Sequence, residues 1–292
     1  MRKQFVKTVE SILEQDEKAI LLLGDIGVFG FKKAFETFPD RVFNIGILEQ
    51  STVGLAAGLS MQGFVPVVHT IAPFLIERSL EQLKNDFCYQ NLGGNFVSVG
   101  ASYDYATLGC THHCPGDVGM LKNIPGMEIV LPGNAEEFDK LFRQSYANGK
   151  PTYFRLSEKQ NSKNYEVKFG KAEIVKKGKL ATIIAVGPML ELAMMASEGL
   201  DVTILYYTTV IPFDKKTLKE NSESGKILLC EPYYAGALLP EILETLSSKP
   251  ISIESVGVPS RMMTNYGTAC EHDEAIGFTY KNIREKLLKL IK

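Results

Sequence analysis

Two stretches of this chain hold the side chains best suited to chemistry. The first is Val42-Phe-Asn-Ile-Gly-Ile-Leu-Glu49-Gln, which sets one carboxylate among Ile45, Ile47 and Leu48. A carboxylate in apolar surroundings is costly to bury unless something pairs with it. The second is Gly109-Cys-Thr-His-His-Cys-Pro-Gly-Asp117, with two adjacent imidazoles and two thiols. Imidazole titrates near neutral pH, so His112 suits hydrogen bonding or proton transfer. The Cys-Thr-His-His-Cys cluster also suggests zinc. Paired zinc ligands, however, usually have at least two residues between them, and adjacent His112 and His113 cannot easily reach one ion, so no metal site is expected. Each remaining candidate has a bland reading beside the chemical one. Glu49 could simply complement a helix dipole. Asp25 after Gly24 could be a turn residue, and Phe74 a core ring. His69 and His272 show no partner pattern and read as structural or surface residues.

The surrounding pattern says what must position these side chains. Lys3 to Gln15 carries Phe5, Val9, Ile12 and Leu13 on a helical stripe. Ala19 to Leu23 is a continuous apolar run stopped by Gly24-Asp25, the signature of a buried parallel strand. The Glu49 stretch follows as a strand and a small-residue helix ended by Gly63. Strands are expected over 64–70, despite Pro66, and over 95–100, 127–131 and 152–156. Helices are expected over 74–89 and 135–146. This alternation predicts an α/β fold with doubly wound, mainly parallel sheets. Polar, lysine-rich 157–179 breaks the rhythm, and strands and helices then resume. The expected organisation is a first domain over 1–160, a linker over 161–179 and a second α/β domain over 180–292. In such sheets ligands gather outside the carboxyl ends of the strands, where Asp25, Glu49, Phe74 and the 109–117 loop all fall.

Bulk composition narrows the classes. The 292 residues are 45% hydrophobic and 23% charged, ordinary for a soluble globular protein. A net charge of -2 argues against a nucleic-acid binder. No apolar run approaches the roughly 20 residues needed to span a bilayer, so no membrane partner is expected. Met-Arg-Lys-Gln-Phe-Val leads straight into an amphipathic segment rather than a signal peptide. Five cysteines without framework spacing fit a reducing compartment, and a cytoplasmic location is the expectation. No Walker loop occurs, and Gly24-Asp-Ile-Gly27 lacks the rest of a dinucleotide fingerprint.

Taken together, Gly46-Ile-Leu-Glu49-Gln, Ala56-Ala-Gly-Leu59, Gly63-Phe-x-Pro66, Phe74 and Gly109-x-Thr-His112 resemble the pyrimidine-binding half of transketolase-like thiamine diphosphate enzymes. Their order and spacing also resemble deoxyxylulose phosphate synthase. The likeness covers residues 1 to about 160 well, and 180–292 more loosely resemble the family's C-terminal domain. The resemblance implies that Glu49 hydrogen-bonds N1′ of the cofactor's aminopyrimidine, favouring the imino tautomer that takes the thiazolium C2 proton. It implies a protonated carboxyl, which the apolar flanks are expected to favour by raising its pKa. It further implies that Phe74 stacks on the pyrimidine, that His112 contacts a substrate oxygen with His113 beside it, and that Asp25 lies on the cofactor side near a subunit contact.

Departures from the family pattern matter equally. The Gly-Asp-Gly motif and downstream Asn that hold magnesium and diphosphate are missing, so the chain looks like the second subunit of a split transketolase. A separate diphosphate-binding subunit is the expected partner, in a homodimer or α2β2 assembly. Leu108 replaces the aspartate that usually precedes Gly-x-Thr-His. The phosphate-gripping Ser-Arg-Gln-Asn appears as Ser157-Glu-Lys159-Gln-Asn161, and Arg2 falls roughly where a phosphate-binding arginine would. The expected activity is transfer of a two-carbon ketol unit between sugars or sugar phosphates. Two alternatives stand beside it: the beta subunit of a 2-oxo acid dehydrogenase-type decarboxylase, and a non-catalytic assembly subunit.

Overall fold

A computed structural model describes all residues from 1 to 292. The apolar runs form two mainly parallel sheets. The first comprises β1 (Ala19–Leu23), β2 (Val42–Asn44), β3 (Val65–Ile71), β4 (Gly94–Val99), β5 (Glu128–Val130) and β6 (Pro151–Arg155). Its order is β2-β1-β3-β4-β6-β5, all parallel, with helices between. β1, β4 and β6 are buried along their whole length, as strands covered on both faces must be. Pro66 is accommodated as the second residue of β3, where it pairs with Ile20.

The second sheet comprises β7 (Ala172–Lys176), β8 (Thr182–Val186), β9 (Thr203–Tyr207), β11 (Lys226–Tyr234) and β12 (Ser252–Val258), in the order β12-β11-β8-β9-β7. The short β10 (Thr209–Ile211) leaves this region and pairs antiparallel with β5 at the edge of the first sheet. One apolar cluster joins Val97 and Phe154 of the first sheet to Ile183 and Tyr206 of the second. No helix is long and apolar enough to cross a membrane.

Three local expectations change. β7 falls inside the stretch read as a linker, because this edge strand, Ala-Glu-Ile-Val-Lys, buries only Ala172 and has no sustained apolar run to show. The helix expected over 74–89 is broken into Ala72–Ile76, Leu80–Gln82 and a wider, π-helical Leu83–Cys88. A helix over Ala269–Ile276 lies where none was expected, started by a capping box between Thr268 and Glu271.

Candidate active site

The order in which strands join the first sheet switches sides at β1, which has β2 on one side and β3 on the other. Such a switch point opens a crevice beyond the strand ends. Glu49 is the first residue of the helix Glu49–Met61, which follows β2 and packs on β3 through buried Thr52, Val53, Ala56 and Ala57. The Glu49 side chain is only 2% exposed. Its Oε2 accepts a hydrogen bond from Arg78 Nη1 at 2.5 Å, while Oε1 is buried with no partner. The sequence neighbours do not enclose it as expected: Ile47 is 66% and Leu48 57% exposed. Burial comes instead from the inward course of the helix's first turn, where the backbone dipole favours a carboxylate.

Arg78 links Glu49 to the other candidates. Its guanidinium lies 4.5 Å from the centroid of the Phe74 ring, and that ring meets His112 edge-to-face at 5.4 Å. Phe74 and His112 are both half-buried. Thr111 Oγ1 lies 3.1 Å from His112 Nδ1. Glu49, Phe74 and His112 therefore converge, through an arginine not singled out in the sequence. Arg78 stands where the expected long helix breaks, and its N–H reaches back five residues to the Pro73 carbonyl at 3.2 Å. The signal for it was the i, i+4 spacing of Phe74 and Arg78, which sets a cation over a ring on a helix face.

The Cys-Thr-His-His-Cys residues diverge. Cys110 is exposed, His112 turns to Phe74, and the buried Cys114 thiol donates to Glu77 Oε1 at 3.6 Å. Burial pushes the Cys114 thiol well above its ordinary value and also raises the Glu77 carboxyl. No group of three His, Cys, Asp or Glu side chains is arranged to hold a metal ion. His113, expected beside a substrate, is instead buried against His272 of the C-terminal region, with ring centroids 5.5 Å apart. Burial and the second imidazole hold its pKa down. The end of the loop is fixed by Asp117, fully buried, which accepts from Arg155 Nε at 2.7 Å and Tyr153 Oη at 2.8 Å.

The remaining candidates sit apart from the Glu49–Arg78–Phe74–His112 row. Asp25 adopts a left-handed backbone (φ 64°) after β1 and accepts a bond from Asn44 Nδ2 at 3.2 Å. Lys159 pairs with Asp273 and lies 5.4 Å from the Phe278 ring centroid. Arg2 is exposed and lines a cavity of about 230 Å³ with Gly100, Asp104, Tyr105 and Glu158. His69, read as structural, is buried with Nδ1 2.7 Å from the Val97 carbonyl oxygen, and burial lowers its pKa to about 4.

An unpartnered buried acceptor at Glu49 Oε1 beside a half-buried aromatic ring fits an aminopyrimidine, which needs a partner for its ring nitrogen and a face to stack on. Comparison with known proteins points the same way. Residues 1–163 match the family description "Transketolase, pyrimidine binding domain", and residues 170–283 match "Transketolase, C-terminal domain". A 33.6 kDa protein in the fasciation locus of Rhodococcoides fascians is 37% identical over 97% of this chain and 92% of its own length. An apulose-4-phosphate transketolase subunit from Phocaeicola vulgatus is 29% identical over 100% of this chain and 97% of its own. A solved structure described as a split gene transketolase, inactive beta4 tetramer, superposes with a TM-score of 0.88 at 25% identity, covering 99% of this chain and 97% of that one. The chain belongs to the transketolase family, whose pyrimidine-binding and C-terminal domains it carries.

Proposed function

We propose that this chain is the pyrimidine-binding subunit of a two-component transketolase that moves a two-carbon ketol unit between sugar or sugar-phosphate substrates. The observation that carries the reading is Glu49 Oε1, buried and without a partner beside Phe74 at the switch point. When bound, thiamine diphosphate supplies the nucleophilic carbon and the electron sink that ketol transfer requires. Glu49 would share a proton at Oε1 with the pyrimidine ring nitrogen only once the cofactor is bound, while Arg78 occupies Oε2 and leaves Oε1 free for that contact. Phe74 offers the stacking face. His112 donates to the substrate carbonyl or hydroxyl oxygen, its ring kept at the crevice by Phe74.

A second subunit would supply the diphosphate and magnesium sites in an α2β2 enzyme in the cytoplasm, and without it this chain would form a homodimer. The apulose-4-phosphate transketolase subunit and the 6-deoxy-6-sulfo-D-fructose transketolase subunit from a Clostridium species are named for ketoses with an anionic end. A substrate of that class would meet the exposed Arg2; Lys159 would have to leave Asp273 to bind it. Asp25 is assigned to the cofactor side of the subunit contact.

Mixing this chain with a subunit carrying the Gly-Asp-Gly motif should give thiamine-diphosphate-dependent ketol transfer from a ketose phosphate to an aldose. Carbon dioxide release from a 2-oxo acid without transfer, or no activity with any such subunit, would contradict the proposal.

A further inference from the structure

Beyond β12 the chain runs without regular structure from Pro259 to Gly267 and then enters the helix Ala269–Ile276. This stretch belongs to the C-terminal domain, yet it packs on the loop that carries His112. The Tyr266 ring lies across Gly109 so closely that a Cβ there would stand 2.7 Å from the ring. Gly109 has φ +78°, and its carbonyl accepts the His112 N–H at 3.0 Å. The single turn that starts at Gly109 and ends at His112 thus has Tyr266 against its beginning and Phe74 against its end. The same stretch grips the loop twice more. His272 packs 5.5 Å from both His113 and Tyr103, and Asp273 accepts a hydrogen bond from the Tyr103 hydroxyl. Tyr266 itself is 77% exposed. A ring left largely in water contributes little to global stability, so its contact with Gly109 acts locally.

We propose that Tyr266 is a positioning residue for His112, by which the C-terminal domain sets the geometry of the substrate contact. The inference rests on the ketol transfer proposed above, with His112 as the group that meets the substrate oxygen. The ring, not the hydroxyl, does the positioning. Small misplacements of a substrate-binding group lower turnover steeply, so Tyr266→Ala in the assembled enzyme should lower kcat/KM for the sugar about tenfold. The Kd for thiamine diphosphate and the Tm should stay unchanged, and Tyr266→Phe should restore kcat/KM. Amide hydrogen exchange over residues 106–113 of this chain should speed up in Tyr266→Ala and not in Tyr266→Phe. Unchanged kcat/KM and exchange in the alanine variant would overturn the proposal, as would a phenylalanine variant as impaired as the alanine one. If the wild-type assembly transfers no ketol unit, the functional reading fails, whereas the exchange experiment still decides whether Tyr266 holds the loop.

Discussion

Arg78 and Glu49 make an unequal pair, with the arginine side chain 41% exposed and the carboxylate almost wholly covered. Solvent on the arginine side weakens the pair, but losing it strands a buried charge. Arg78→Ala should therefore cost about 1 kcal/mol, read as a fall in Tm of about 2 °C in this chain alone. No fall would mean that the pair is not held in solution. Glu49, Phe74 and His112 were legible because a carboxylate, an aromatic ring and an imidazole at strand ends are unusual enough to ask for a reason. Arg78 was only half legible: its i, i+4 spacing from Phe74 sets it over the ring, but its reach to Glu49 depends on the widened turn after Pro73. His113 was placed with His112 on adjacency alone. His112 ends a single helical turn while His113 is extended, so their rings point different ways.

At the scale of elements, the crevice depends on how the long 101–117 loop is tied down. Arg155 at the end of β6 and Asp117 form an ion pair with both side chains essentially inaccessible, and Arg155 Nη2 also donates to Ser102 Oγ at 2.7 Å. One guanidinium thus binds both ends of the loop. Removing one partner of such a pair leaves an uncompensated buried charge, so Arg155→Met should destabilise the fold by about 3 kcal/mol, measured by urea unfolding. A loss under about 1 kcal/mol would show that the loop is anchored elsewhere. The central strands β1, β4 and β6 were readable from their apolar runs, since burial on both faces leaves little choice of residue. β7 and the helix Ala269–Ile276 were not, for opposite reasons. The edge strand is too short and too little buried to show an apolar run, whereas the helix advertised itself through Thr268 and Glu271 but has only His272 and Asp273 as buried residues.

The two sheets are one mechanical object: β10 crosses to the first sheet, Asp273 reaches Lys159 and Tyr266 reaches Gly109. A titration in the second sheet should therefore register in the stability of the whole. Glu231 in β11 is fully buried and accepts N–H bonds from Gly236 at 2.6 Å and Leu238 at 2.9 Å. Burial nonetheless pushes its carboxyl up from 4.5 to about 7. Between those values the folded protein holds a proton that the unfolded chain has released, so stability falls as pH rises through the window. The fall attributable to Glu231 should be about 3 kcal/mol and complete above pH ~7. Urea unfolding of Glu231→Gln at pH 5 and pH 8 should show a smaller difference than the wild type; an equal difference would assign the effect to other groups.

The role proposed for Glu49 is to share a proton with an aminopyrimidine nitrogen of the bound cofactor. Its most direct test is the rate at which the C2 proton of thiamine diphosphate exchanges with solvent deuterium in the assembled two-subunit enzyme, wild type against Glu49→Gln. Proton-transfer assistance of this kind contributes roughly 100-fold or more, so the isosteric variant should slow exchange by at least about that factor with its fold intact. Exchange at the wild-type rate in Glu49→Gln would contradict the account.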